Sequence, residues 1–153
     1  MLDCFDHNVF YSFMQTIERK QIVPYSREQM YDLVNDVERY PEFIPLCHQG
    51  VIHECDSHHM CASLVFGRGM LSAQLTTNNV LARPSRIEMS FESGPLESLK
   101  GLWQFTQDGQ QTLIEFSVSF EISSGMFMLK PMLTSILDTM VARFCERAKE
   151  IYD

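Results

Sequence analysis

The chain has 153 residues, 45% of them hydrophobic, with 11 Phe and 10 Met; this suits one domain with a sizeable core and excludes a disordered or fibrous protein. Its formal net charge of -8 works against nucleic-acid binding, which draws non-specific affinity from Lys and Arg, so no DNA partner is expected. Five scattered cysteines without a CxxC pair fit a reducing, cytoplasmic setting better than a disulfide framework.

Residues 1–13 have no clean period, and Asp3 and Asp6 stand where a signal peptide would be basic. They are read as an N-terminal appendage to a domain covering 14–153. Either they form a loosely docked arm, or the reading frame is over-extended and Met14 is the natural start. A strand is predicted from Gln15 to Val23, ended by Pro24. Ser26 and Gln29 have capping-box spacing, and Met30, Leu33, Val34 and Val37 recur at three-four spacing, which predicts an amphipathic helix. A second short helix or turn is closed by Pro41 and Pro45.

The period then changes. Met60, Ala62, Leu64 and Phe66 alternate with Cys61, Ser63 and Val65; Ile87, Met89 and Phe91 alternate with Glu88, Ser90 and Glu92. Ile114, Phe116, Val118, Phe120 and Ile122 alternate just as strictly after Asp108-Gly109, a hairpin signal. Strands in immediate succession pair antiparallel, and one apolar face per strand calls for a single cover. Leu133, Ile136, Leu137, Met140, Val141, Phe144, Ala148 and Ile151 form one helical stripe that supplies it. That helix is expected either to start at Pro131 or to kink there after an opening turn capped by Ser123 or Ser124. No apolar run is long enough to span a bilayer, so any membrane contact is expected to be peripheral, at the inner membrane. The expected architecture is α+β, a helix-grip fold: a curved antiparallel sheet of about seven strands around a long C-terminal helix, with two short helices after the first strand.

This order, with the words VPYSREQMYDLVNDVERYPEFIPLC (Val23–Cys47), GPLESLKGLWQF (Gly94–Phe105) and MVARFCERAKEIYD (Met140–Asp153), resembles the coenzyme Q-binding/ribosome-association toxin family. These are START-like, polyketide cyclase/dehydrase-type helix-grip proteins, and the resemblance runs from about Met14 to the C-terminus. It implies one of two activities. The first is non-catalytic binding of ubiquinone or a similar prenyl lipid in support of respiratory electron transport. The second is a toxin that binds the large ribosomal subunit and blocks subunit joining. No cofactor is implied beyond ubiquinone as a bound ligand.

A sheet curved around one helix encloses a space that is either packed or occupied. The residues expected to face it are Met60, Ala62, Leu64, Ala73, Leu75, Met89, Phe91, Trp103, Phe105, Phe116, Val118 and Phe120 from strands, with Ile136, Met140 and Phe144 from the helix. For each alone, core packing is the default role. Together, the mixture of Met, Ala and aromatic residues points to a ligand cavity, because Met adapts and Ala leaves room. Burying ~10 methylene equivalents of a prenyl tail would contribute on the order of 8 kcal/mol before association costs. Tyr40 and Phe43 are expected at an entrance or lid, with Met126 and Phe127 in a greasy connection suited to touching a membrane. The cluster Cys47, His48, His53, Cys55, His58, His59 and Cys61 fits no compact zinc spacing and is read as surface. Glu88, Glu92, Glu115 and Glu121 fall on polar faces, while Thr77, Asn79 and Gln107 have inward parity, a set that binds better than it titrates. No enzymatic activity is therefore expected, and a cyclase or dehydratase is the weakest of the three functions.

Overall fold

Nine regular elements run in the order β1 (Met14–Val23), α1 (Arg27–Asn35), β2 (Cys47–Cys55), β3 (His59–Arg68), β4 (Leu71–Ala82), β5 (Arg86–Ser93), β6 (Leu96–Asp108), β7 (Gln111–Ile122) and α2 (Lys130–Tyr152). The structure, a computed structural model, describes residues 14–153, and the expected appendage at 1–13 lies outside the described residues. Two 3-10 turns, Val37–Glu42 and Phe127–Leu129, precede β2 and α2. The strands form one antiparallel sheet in the order β1-β7-β6-β5-β4-β3-β2. From β1 the chain crosses through α1 to the far edge at β2, then returns strand by strand until β7 pairs with β1. This is the helix-grip architecture, with α2 lying along the concave face.

Local chemistry explains the element boundaries. Ser26 Oγ accepts from Gln29 N at 3.1 Å and Ser26 N donates to Gln29 Oε1 at 3.0 Å, the reciprocal capping box expected from the spacing. Gly109 turns the β6–β7 hairpin with φ 63°, a conformation that favours glycine. Gln107 does not face inward. Its Nε2 donates to Gly109 O and Gln111 O, and its Oε1 accepts from Arg27 N, so it ties the hairpin to the first turn of α1.

Every second residue of β7 from Thr112 to Ile122 is buried, and the α2 stripe from Leu133 to Ala148 packs over it and its neighbours. Burial of each such Leu, Val or Phe contributes about 1.5–3 kcal/mol. Two expectations for α2 change. Ile151 is 47% exposed, because the helix has passed the edge of the sheet, whereas Cys145 joins the buried stripe. Of the two starts expected, the helix takes the one at Pro131, which stands in its first turn, so neither Ser123 nor Ser124 caps it; the N-cap is Leu129, without a side-chain hydrogen bond. Pro131 removes one donor there, and the 3-10 turn satisfies another, Lys130 N donating to Phe127 O.

Candidate functional site

Between the concave face and α2 lies a cavity of about 70 Å³. Val37 and Tyr40 close it from the first 3-10 turn; Ala62 and Leu64 line it from β3, and Leu75, Thr77 and Asn79 from β4. Met89, Leu99, Trp103, Leu137 and Met140 complete the wall. The space exists because Ala62 is short where its neighbours are long, and because Met89 bends across Gly101, where no side chain competes.

The wall is apolar except at Thr77 and Asn79, which strand periodicity puts on the same face. Thr77 Oγ1 donates to Asn79 Oδ1 at 3.0 Å, and no described residue accepts from Asn79 Nδ2. Beside the Tyr40 hydroxyl, the cavity thus offers a polar pair at one place in its wall. Among the lining residues only Tyr40 titrates, and it is not poised for proton transfer: its hydroxyl donates to Val34 O, and burial pushes its phenol far above the ordinary range.

The roof is an aromatic lattice. Trp103 stacks on Phe116 with centroids 4.2 Å apart and meets the edge of Phe144 at 5.4 Å. Phe144 in turn packs edgewise on Tyr40 and Phe43 at 5.2 and 5.3 Å. Arg147 of α2 fastens the 3-10 turn from outside, its guanidinium 5.1 Å over the Phe43 ring and donating to Glu42 Oε1 at 2.6 Å. Gly50 of β2 lets the turn come down, because a Cβ there would collide with the Val37 carbonyl.

Of the fifteen residues expected to face the cavity, Ala62, Leu64, Leu75, Met89, Trp103 and Met140 line it. Met60, Phe105, Phe116, Val118, Phe120, Ile136 and Phe144 point inward but are buried in the surrounding core. Ala73 and Phe91 are only partly buried; Phe91 falls at the β4–β5 register shift, where the pairing jumps from Thr77↔Phe91 to Thr76↔Ser93. Tyr40 forms wall rather than entrance at 6% exposure, and Phe43 packs half-buried beside it. Met126 and Phe127 are exposed on the β7–α2 connection and do not line the cavity. Val37, Leu99 and Leu137 line it unforeseen. Leu99 shares the parity of Trp103 and Phe105, a readable signal, whereas Leu137 differs from Ile136 by one helical step. In the Cys/His stretch, His53 Nε2 lies 2.7 Å from Ser63 Oγ and Cys61 donates to Glu92, and no three metal-ligating groups converge among the described residues.

Residues 23–148 match the model of the polyketide cyclase/dehydrase and lipid transport family. The chain belongs to that family. It is 40% identical over 139 residues to the ribosome association toxin RatA of Pseudomonas aeruginosa, covering 89% of this chain and 96% of the relative. It is 28% identical over 154 residues to the mitochondrial coenzyme Q-binding protein COQ10 of Dictyostelium discoideum, covering 95% of this chain and 75% of that one. A START superfamily protein from Mycobacterium smegmatis superposes with a TM-score of 0.73 at 16% identity, over 89% of this chain and 98% of that one, a likeness of fold alone. The family description names both a reaction class and lipid transport, so membership leaves the choice between enzyme and binder to the residues.

Proposed function

We propose that the protein is a ribosome-associating inhibitor of translation that acts in the cytoplasm by binding the large subunit and hindering subunit joining. One observation carries this reading: the 40% identity to the RatA relative extends over nearly the whole of both chains, against 28% for the coenzyme Q-binding relative. This reverses the order of the two activities expected from the sequence. The cavity supports the reversal. Its volume of about 70 Å³ is well below the several hundred Å³ of a typical ligand pocket. A wall without carboxylate, histidine or thiol supports a non-catalytic role.

The test is sedimentation of the purified protein with separated ribosomal subunits through a sucrose gradient. Co-migration with large subunits and loss of assembled ribosomes is the expected result; a protein that stays at the top of the gradient refutes it.

Ubiquinone or another prenyl lipid is the second reading, and the Thr77–Asn79 pair favours it. A polar pair in an otherwise largely apolar wall that also holds Trp103 suits a quinone head group. Solvent extraction of protein purified from a quinone-producing host, followed by mass spectrometry, separates the two. Stoichiometric quinone supports lipid binding, and its absence together with ribosome co-migration supports the toxin.

A further inference from the structure

Eight large apolar side chains are exposed among the described residues, and four of them, Met70, Met126, Phe127 and Met128, crowd onto two turns. The antiparallel order brings these turns to one end of the sheet, where β3 passes into β4, β5 into β6, and β7 into α2. The end is tied together. Ser123 N donates to Pro95 O at 3.0 Å, and the Phe127–Leu129 turn packs against β4. Leu129 is buried and anchors its turn, so Phe127 at 56% exposure and Met128 at 74% are held outward by a fixed backbone. Met70 is wholly exposed at the tip of the β3–β4 hairpin, beside Gly69 with φ 62°.

The charges are as uneven as the apolar groups. Every arginine except Arg68 is paired with a carboxylate among the described residues, whereas Lys20, Lys100, Lys130 and Lys149 form no ion pair there. Arg68 and Lys130 flank the Met70 and Met126–Met128 tips, and neither tip contains an acidic residue. The acidic residues at this end stand back from the tips, Glu121 near the end of β7 and Glu92 and Glu97 on either side of the β5–β6 turn between them. In a chain of formal net charge -8, the remaining surface would be repelled by an anionic membrane, which turns this end toward it.

The geometry points to a lipid-surface contact. The Met70 and Met126–Met128 turns enter the headgroup and upper acyl region of an anionic membrane, and Arg68 and Lys130 meet the phosphates. Two projecting tips of Met and Phe suit a soft acyl layer better than a protein partner, which would ask for a continuous complementary patch. This contact is independent of the ribosomal reading.

The test is flotation of the full chain with phosphatidylcholine vesicles, with and without phosphatidylglycerol. Binding is expected, stronger with phosphatidylglycerol and weakened by salt. Met70→Ser, Phe127→Ser and Met128→Ser combined should lower partitioning roughly tenfold or more on both vesicles, with unchanged circular dichroism. Arg68→Gln with Lys130→Gln should lower it several-fold on anionic vesicles alone, removing the salt dependence. Met70→Ser alone, on a wholly exposed side chain, carries the test if the triple variant misfolds. Absence of wild-type binding, or full binding by Met70→Ser and the triple variant, overturns the proposal. So does loss of ribosome co-migration by the triple variant with no vesicle binding by the wild type, which would assign the surface to the ribosome.

Discussion

Ala62→Val asks whether the cavity is a defect or a device. Ala62 is 5% exposed in the middle of β3, paired with Ile52 on one side and Thr77 on the other, and its methyl forms part of the cavity wall. At about 24 cal/mol per Å³, a void of about 70 Å³ costs on the order of 1.7 kcal/mol. Two added methyl groups recover part of that cost, about 0.8 kcal/mol each if the void accepts both, and a β-branched residue suits a strand. We expect about 0.5–1.5 kcal/mol of added stability in urea unfolding, and a thermal midpoint raised by about 1–6 °C. A variant destabilised by more than about 1 kcal/mol would mean that the wall has no room, and the cavity argument would fail. The same protein separates the functions: ribosome co-migration should be unchanged, whereas quinone recovery, if the wild type shows any, should drop sharply.

Gly50→Ala should cost at least about 2 kcal/mol, since the new methyl meets the Val37 backbone and the 3-10 turn has to lift, taking Tyr40 with it; equal unfolding midpoints would contradict this. Arg147→Ala removes the Glu42 bond and the Phe43 contact from a side chain only 17% exposed, and should lose about 1–2 kcal/mol in urea, with Arg147→Lys restoring only part. Cys61 donates to Glu92, which raises its thiol pKa to about 11. Its thiolate is therefore scarce at pH 9 and grows only as pH approaches 11, so alkylation at pH 9 should be slow and Glu92→Gln should accelerate it several-fold. Equal rates in the two proteins, read by mass spectrometry, would remove Glu92 as the cause.

Strand parity was the most legible feature of the sequence because its period is 2: one correct inward residue, such as Phe116, places Ile114, Val118 and Phe120 with it. Capping was legible for a similar reason, since Ser26 and Gln29 act within one turn. What could not be read was how inward residues divide between wall and filling. Trp103 and Phe105 share a face, yet only Trp103 borders the cavity, because that depends on how far α2 stands from each strand. Phe91 packs against the core yet stays out of the cavity wall, at a register shift that leaves no trace in alternation. The contacts of Arg147 cross from α2 to a turn more than a hundred residues earlier, and no spacing rule reports such a pair.

The pairing of β1 with β7 joins Met14 to Glu121, more than a hundred residues apart. Such a closure has a high loop-entropy cost that only late contacts repay, so the sheet cannot finish while β7 is still being synthesised. The long helix that fills its concave side comes later still. Under the ribosomal reading this has a timing consequence: a nascent copy lacks the completed domain, so the ribosome translating it is spared until the product is released.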